Sequence, residues 1–214
     1  MEIRIGVRPS RLALEQADEA VEFLKEIYQN AVFQVIPILT LGDKDKSTPL
    51  SKVSQDDFFT HEIDQALFKE EIDLAVHSSK DLPEILLKGL RIAWESPSIS
   101  PYDALVSRGK LKLNALSRGS RIGVSSLRRI EQLENLRSDL EIVQIRGNID
   151  ERLTLIDTGR IDALIVAGAA LIRLGLKDRI AEVFPLDVFP AHPKQGRLSI
   201  VAKENRCEEI KSIL

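Results

Sequence analysis

A guanidinium presents a planar fork of N–H donors that pairs bidentately with carboxylate or phosphate. Guanidiniums, and one lysine, stand in this sequence at several places where an apolar, β-branched run gives way to a polar segment. Arg8 and Arg11 follow Ile3 to Val7, Lys80 follows Ala75-Val76-His77, and Arg128 and Arg129 follow Val124. Arg146 follows Ile142 to Ile145, Arg152 lies one helical turn past Asn148, and Arg173 follows Leu164-Ile165-Val166. Taken singly, each reads equally as a solvated surface charge. As a set they read as a seat for a polyanion, because helix starts ordinarily favour acidic residues and here they are basic. Ser10 and Ser126 stand where N-caps belong, so backbone N–H donors open at the same places. A single acid, Asp81, stands among these cations in His77-Ser78-Ser79-Lys80-Asp81-Leu82-Pro83. A carboxylate there suits general acid/base work or stabilisation of a cationic intermediate. Its plainer reading is a turn cap ahead of Leu82-Pro83, and position alone favours the cap. Gly168-Ala169-Ala170 reads as a small-residue helix start, open either to a ligand or to close packing.

The elements that must carry these residues alternate. Ile3 to Val7 reads as a strand, and Arg11 to about Gln29 as a helix whose apolar face is Leu14, Ala17, Val21, Leu24 and Ile27. Val32 to Leu39 and Asp73 to Val76 read as strands, Leu41 to Val53 as a loop, and Phe58 to Phe68 as a helix. Strands separated by helices imply parallel crossovers and an α/β sheet. The run Arg4-Ile5-Gly6-Val7 recurs letter for letter as Arg121-Ile122-Gly123-Val124, and Ile72-Asp73-Leu74 has a later counterpart in Ile161-Asp162-Ala163. Matches in the same order predict two lobes of one plan. The expected fold is α/β, with two lobes of mixed, mostly parallel sheet and the ligand in a cleft between them, at strand C-termini. The boundaries read as 1–96 plus 190–214 for the first lobe and 97–189 for the second. A hinge lies at Glu95 to Pro101 and a return crossing near Phe189 to Gln195.

Composition narrows the function. The 214 residues are 43% hydrophobic and 29% charged, which fits a globular chain. Thirty basic against 33 acidic residues leave a net charge of −3, so a nucleic-acid-coating role is not expected. No apolar run reaches the roughly 18 residues that would span a bilayer, and Met1 to Ser10 is too short and charged for a signal peptide, so a cytoplasmic protein is expected. One cysteine, Cys207, rules out an internal disulfide framework. His61, His77, His192 and Cys207 have no metal-ligand spacing, and Gly6 and Gly123 are single glycines rather than a phosphate loop.

The residues also resemble a known family, the hydroxymethylbilane synthases or porphobilinogen deaminases. The likeness rests on Arg8-Pro9-Ser10-Arg11-Leu12-Ala13-Leu14 with Gln16, Thr40-Leu41-Gly42-Asp43, Ala75 to Pro83, Gly123 to Arg129, Ile145-Arg146-Gly147-Asn148, Arg152-Leu153, Ala170 to Leu176, and Pro190-Ala191 to Gln195-Gly196. These stand in family order over essentially the whole chain. The resemblance implies two periplasmic-binding-protein-like lobes and head-to-tail condensation of porphobilinogen, with loss of ammonia, on a dipyrromethane primer. It implies Asp81 as the catalytic acid. It implies carboxylate binding by Arg8, Ser10, Arg11, Lys80, Ser125, Ser126, Arg128, Arg129, Arg146, Arg152 and Arg173, with Gly147, Asn148, Gly168 and Gln195 in the cleft. The substrate's acetate and propionate arms supply the polyanion that the arginine set calls for.

The sequence departs from the family pattern in three places. The family's third, C-terminal domain carries the primer on a cysteine; this sequence reads to Leu214, where that domain would begin, and Cys207 reads as an ordinary thiol of the second lobe crossing. The expectation is a shortened chain with no covalent cofactor cysteine, a monomer or one helped by a partner supplying the missing domain. Its surface would be apolar around Ile210, Ile213 and Leu214. Asp56 and Asp57 stand where the family has a lysine and glycine of a lid, reversing a charge near a polycarboxylate. The connection His192 to Gly196 is one residue longer than usual. Two functions remain open: the condensing enzyme, or a two-lobed protein that holds a tetrapyrrole or other polycarboxylate without turnover. A regulator's effector domain shares the lobe plan but has no accompanying helix-turn-helix segment.

Overall fold

The computed structural model describes residues 1–45, 48 and 58–211, the side chains of its last helix only as far as Cys207. The segment carrying Asp56 and Asp57, and the side chains of Ile210, Ile213 and Leu214, lie outside the described residues. Two compact units divide the chain: 1–45, 58–99 and 197–211 in one, Ser100–Gly196 in the other.

In chain order the elements are β1 Glu2–Val7, α1 Arg11–Ile27, β2 Val32–Pro37, α2 Leu41–Lys44, α3 His61–Phe68, β3 Leu74–Ser78, β4 Leu90–Glu95, β5 Asp103–Ser107 and β6 Arg121–Val124. They continue with α4 Leu127–Leu136, β7 Glu141–Gln144, α5 Ile149–Asp157, β8 Ala163–Ala167, α6 Gly168–Arg173, β9 Ile180–Val183, β10 Leu198–Lys203 and α7 Glu204–Lys211. The first unit holds a sheet in the order β2-β1-β3-β10-β4, the second a sheet in the order β7-β6-β8-β5-β9. In each, the second strand pairs in parallel with both neighbours, and the fourth is antiparallel to both of its own. The reversed strand is in both cases the one entered straight after the chain arrives from the other unit.

The repeated tetrapeptide occupies the same register in both sheets. Ile5 and Gly6 pair with Leu74 and Ala75, and Ile122 and Gly123 pair with Ala163 and Leu164. Alternation sends Ile3, Ile5 and Val7 to one face of β1, where they are fully buried against Ala17, Ala20 and Leu24 of α1. The opposite face packs Ile63, Leu67 and Ile72. The second sheet is likewise covered on both faces, by Leu133 and Leu140 on one and by Leu153, Ile156 and Ile161 on the other. Burial on two faces explains why β8 reads as an uninterrupted apolar run.

Two local expectations change. The segment from Leu41, read as a loop, begins with a helical turn: Thr40 and Asp43 close a reciprocal capping box over α2. The buried stripe of α1 is Ala13, Gln16, Ala17, Ala20 and Leu24, and Leu14 is left partly exposed. Small residues let that helix lie close to the sheet, so the contact stripe follows the alanines. Ser10 caps α1 as expected, its hydroxyl accepting from the Ala13 N–H at 3.2 Å.

Candidate active site

Asp81 sits half-buried at the end of a 3-10 turn, Ser79–Asp81, that continues β3 in the first unit. Short polar contacts hold the start of that turn from the head of β10 and from α1. The Ser79 N–H donates to the Arg197 carbonyl at 3.0 Å, and the buried hydroxyls of Ser79 and Ser199 lie 2.7 Å apart. Gln16, buried on α1, donates to the Ser78 hydroxyl at 2.8 Å. Beneath the turn, His77 is buried and its Nε2 has no hydrogen-bond partner. Burial brings the imidazole down to about 4 against the opposing Asp81 charge, with a smaller push in the same direction from the Arg8 charge. At neutral pH it is therefore an uncharged neighbour of the acid.

The remaining cations of this unit are differently occupied. Arg8 is clamped by Asp43, Nη2 at 2.5 Å and Nε at 3.2 Å from Oδ1, and its guanidinium carbon lies 4.5 Å from the centre of the Phe59 ring. Burial works against the Asp43 charge, but Arg8 overcomes it and holds that carboxyl below its ordinary range. Arg11 is exposed at the first position of α1, and Lys80 is half-buried within the 3-10 turn.

The second unit gathers its residues in two knots. In one, Arg152 on α5 donates to the Gly147 carbonyl at 2.8 Å and to the Ser125 hydroxyl at 2.9 Å. Asn148 caps α5, its Oδ1 accepting from the Glu151 N–H and its own N–H donating to the Glu151 carboxylate, each at 2.9 Å. Gly147 has φ +98°, and a Cβ there would lie 2.4 Å from the Glu151 carboxylate, so this turn needs glycine. Arg146, half-buried, immediately precedes it. In the other knot, Arg128 and Arg129 on α4 both reach Asp103 at the head of β5, at 2.9 and 2.6 Å. Buried Gln195 donates to the same carboxylate at 2.9 Å and to the Pro101 carbonyl at 3.1 Å. Ser126 caps α4 without a side-chain hydrogen bond. Arg173 donates to the Gly196 carbonyl at 3.1 Å. Gly168 packs tightly: a Cβ there would lie 3.2 Å from both Ser100 Oγ and the Tyr102 carbonyl.

Asp103 was not among the expected site residues. Its sequence signal, an acid heading the apolar run Ala104-Leu105-Val106, reads as an ordinary strand boundary. Asp43 belonged to a recognised motif, but nothing in that motif says that it clamps Arg8. Among the described residues, no group of three His, Cys, Asp or Glu side chains could hold a metal ion. Cys207 is buried on α7, with Sγ 3.4 Å from the Arg91 carbonyl and 3.6 Å from that of Ala202.

Residues 3–211 match the family model described as "Porphobilinogen deaminase, dipyromethane cofactor binding domain". The chain belongs to the porphobilinogen deaminase family. Porphobilinogen deaminases of Desulforudis audaxviator, Bacillus subtilis and Fusobacterium nucleatum are 42%, 43% and 44% identical to it over 97%, 95% and 99% of its length. The chain spans 67%, 65% and 71% of those relatives' own lengths, about two thirds. Among solved structures, a periplasmic substrate-binding protein of an ABC transporter from Coxiella burnetii aligns with TM-score 0.58 at 13% identity, over 99% of this chain and 91% of its own. A putative methionine-binding lipoprotein from Bacillus subtilis aligns with TM-score 0.55 at 14% identity, over 99% and 89%. These likenesses show the fold: a two-unit α/β architecture of the periplasmic-binding-protein kind. No helix among the described residues is long and apolar enough to cross a membrane.

Proposed function

We propose that this chain carries the pyrrole-condensing chemistry of the porphobilinogen deaminase family: a transferase that joins porphobilinogen units into a linear tetrapyrrole with release of ammonia. The observation that carries the reading is Asp81 on a turn at the end of β3, anchored through Ser78 and Ser79, within a family-specific motif. In the second unit, the half-buried guanidiniums of Arg128, Arg146, Arg152 and Arg173 follow strands of its sheet.

Porphobilinogen loses its amine when the aminomethyl C–N bond breaks. The bonding pair leaves with nitrogen as ammonia, and the pyrrole ring takes up the positive charge. An ionised Asp81 accepts hydrogen bonds from the substrate's ammonium and pyrrole N–H, then faces the cation that forms. A fixed charge aimed at developing charge contributes on the order of 3–4 kcal/mol to such a step. The anchored turn keeps it from reorganising, and neutral His77 adds no competing positive charge. The arginines and the α4 and α5 N-termini bind the acetate and propionate arms.

The same cationic groups suit the dipyrromethane of the family, which supplies a pyrrole carbon nucleophile when bound. Ser125, Ser126, Arg128, Arg146 and Arg152 would hold its carboxylates. Cys207, buried against two carbonyls, does not suit covalent attachment. That burial favours a second reading, a non-catalytic holder of polycarboxylate pyrroles. A cytoplasmic site of action goes with either.

Incubation with porphobilinogen and supplied dipyrromethane, followed by measurement of uroporphyrinogen I, separates the two. Product that disappears in Asp81→Asn, with unfolding unchanged, supports the enzyme. Tight porphobilinogen binding without product supports the holder, and absence of both binding and product overturns the proposal.

A further inference from the structure

The two arginines that open α4 face an electrostatic problem. The N-terminal end of a helix carries partial positive charge, and the first turn of α4 holds two guanidiniums and no acid. Asp103 resolves it from another strand. Its side chain is 0% exposed, and its two oxygens are divided between the arginines, Oδ2 to Arg128 and Oδ1 to Arg129. Gln195 adds a third donor, on Oδ1. Burial alone would favour the neutral acid, but Arg129 and Arg128 overcome it and keep the carboxyl below its ordinary range.

The two arginines are not equivalent. Arg129 is 6% exposed and its fork is turned inward, while Arg128 is 30% exposed. Arg128 is also pinned at its other nitrogen, Nη1 donating to the Pro190 carbonyl. A guanidinium has five N–H donors, and these two bonds use two of them. Two positive charges against one carboxylate leave one positive charge over, and Arg128 is the partly exposed member of the pair.

We propose that Asp103 is a positioning residue: it sequesters Arg129 as a buried strut, and fixes Arg128 so that its remaining N–H donors grip one carboxylate of the ligand. Asp103 itself touches no ligand. Its location adds a reason for its placement, because Pro101 to Asp103 is where the chain enters this unit and Pro190 to Gln195 is where it leaves. Gln195, Arg128 and Gln132 tie both segments to the same knot, Gln132 through the Pro190 carbonyl at 3.0 Å.

The inference rests on the porphobilinogen reading for the identity of the ligand. Calorimetry with porphobilinogen on the unaltered chain, Asp103→Asn, Arg128→Met and the double variant tests it. Losing a charge-assisted contact that orders Arg128 should weaken binding about tenfold or more in Asp103→Asn. In the Arg128→Met background the same change should then have less than about a twofold effect, because the arginine through which it acts is gone. Equal or tighter binding by Asp103→Asn, or the same loss in both backgrounds, overturns the inference. Should Asp103→Asn not fold, Gln195→Met removes one donor from the same carboxylate and enters the same cycle. Failure of the porphobilinogen reading looks different, since the unaltered chain then binds no porphobilinogen. Nitrogen-15 guanidinium spectra still judge Asp103 in that case. Slowly rotating Arg128 and Arg129 groups that become mobile in the variant support the positioning role, and groups mobile in the unaltered chain overturn it.

Discussion

Asp73 holds Arg4 by backbone and side chain together: its Oδ2 accepts from the Arg4 backbone N–H at 2.8 Å and from Nε at 3.0 Å, and Oδ1 accepts from Nη2 at 2.9 Å. Asp162 holds Arg121 the same way, at 2.9, 3.2 and 3.1 Å. In each unit the aspartate's own N–H returns a 2.8 Å bond to the arginine's carbonyl. The repeated tetrapeptide thus begins, in both sheets, with a clip that sets the register of the second strand on the third. Both pairs are partly exposed, so solvent screens them. Asp73→Ala and Asp162→Ala should each cost about 1–2 kcal/mol, most of it from the backbone N–H left without its acceptor. Urea unfolding checks this, and losses below about 0.5 kcal/mol would show that the clips do not stabilise the sheets.

The glycine in the same tetrapeptide makes room for isoleucine. A Cβ on Gly6 would lie 2.3 Å from Cδ1 of buried Ile72, and one on Gly123 would lie 2.6 Å from Cδ1 of Ile161 and 2.8 Å from that of Ile145. Gly6→Ala should destabilise by about 1–3 kcal/mol through overpacking. Ile72→Val, which removes the clashing methyl, should recover part of the loss when combined with it. Additive losses in the double variant would rule out this steric account.

His77 predicts an acid-side loss of stability. Its folded value of about 4 lies below the ordinary 6.5, so between those values the unfolded chain binds the proton and the folded chain does not. The stabilisation is fully present above pH 6.5 and declines as pH falls toward 4, by about 3 kcal/mol in all. Below that, loss of the paired aspartates Asp43, Asp73, Asp103 and Asp162 follows, since their carboxyls are held below their ordinary range. Denaturant midpoints for the unaltered chain and His77→Gln, taken from pH 7.5 to 4.5, test it. Equal slopes for the two proteins would exclude His77 as the source.

Cys207 should resist thiol reagents in the folded chain. It is 1% exposed, so alkylation requires local opening. Iodoacetamide should react at least about a hundredfold more slowly than in denaturant, the factor expected for an opening cost of about 3 kcal/mol. Intact mass should show no pyrrole adduct on this sulfur. Rapid native alkylation, or a dipyrrole found on Cys207, would contradict the buried placement.

Much of the architecture was legible from local pattern. Alternation in Ile3 to Val7, the Ser10 cap and the paired runs at Arg4 and Arg121 report on neighbours a few positions apart, where periodicity and hydrogen-bond reach act directly. The α2 turn was missed because its stability comes from one reciprocal cap rather than from an apolar stripe. Leu14 was placed on the wrong side of α1 because side-chain size, rather than spacing, determines how near that helix lies to its sheet.

Residue types and their order were enough to reveal the α/β class, the internal duplication and the family. Folding was needed to sort the arginines by occupation. Arg8 is taken up by Asp43, 35 positions away, and Arg129 by Asp103, 26 away, while Arg128 shares that aspartate and keeps part of its surface. Ion pairs of this reach leave no periodic trace, because each depends on two strands or helices arriving at one point. Burial there, rather than charge, determines which guanidiniums keep exposed surface.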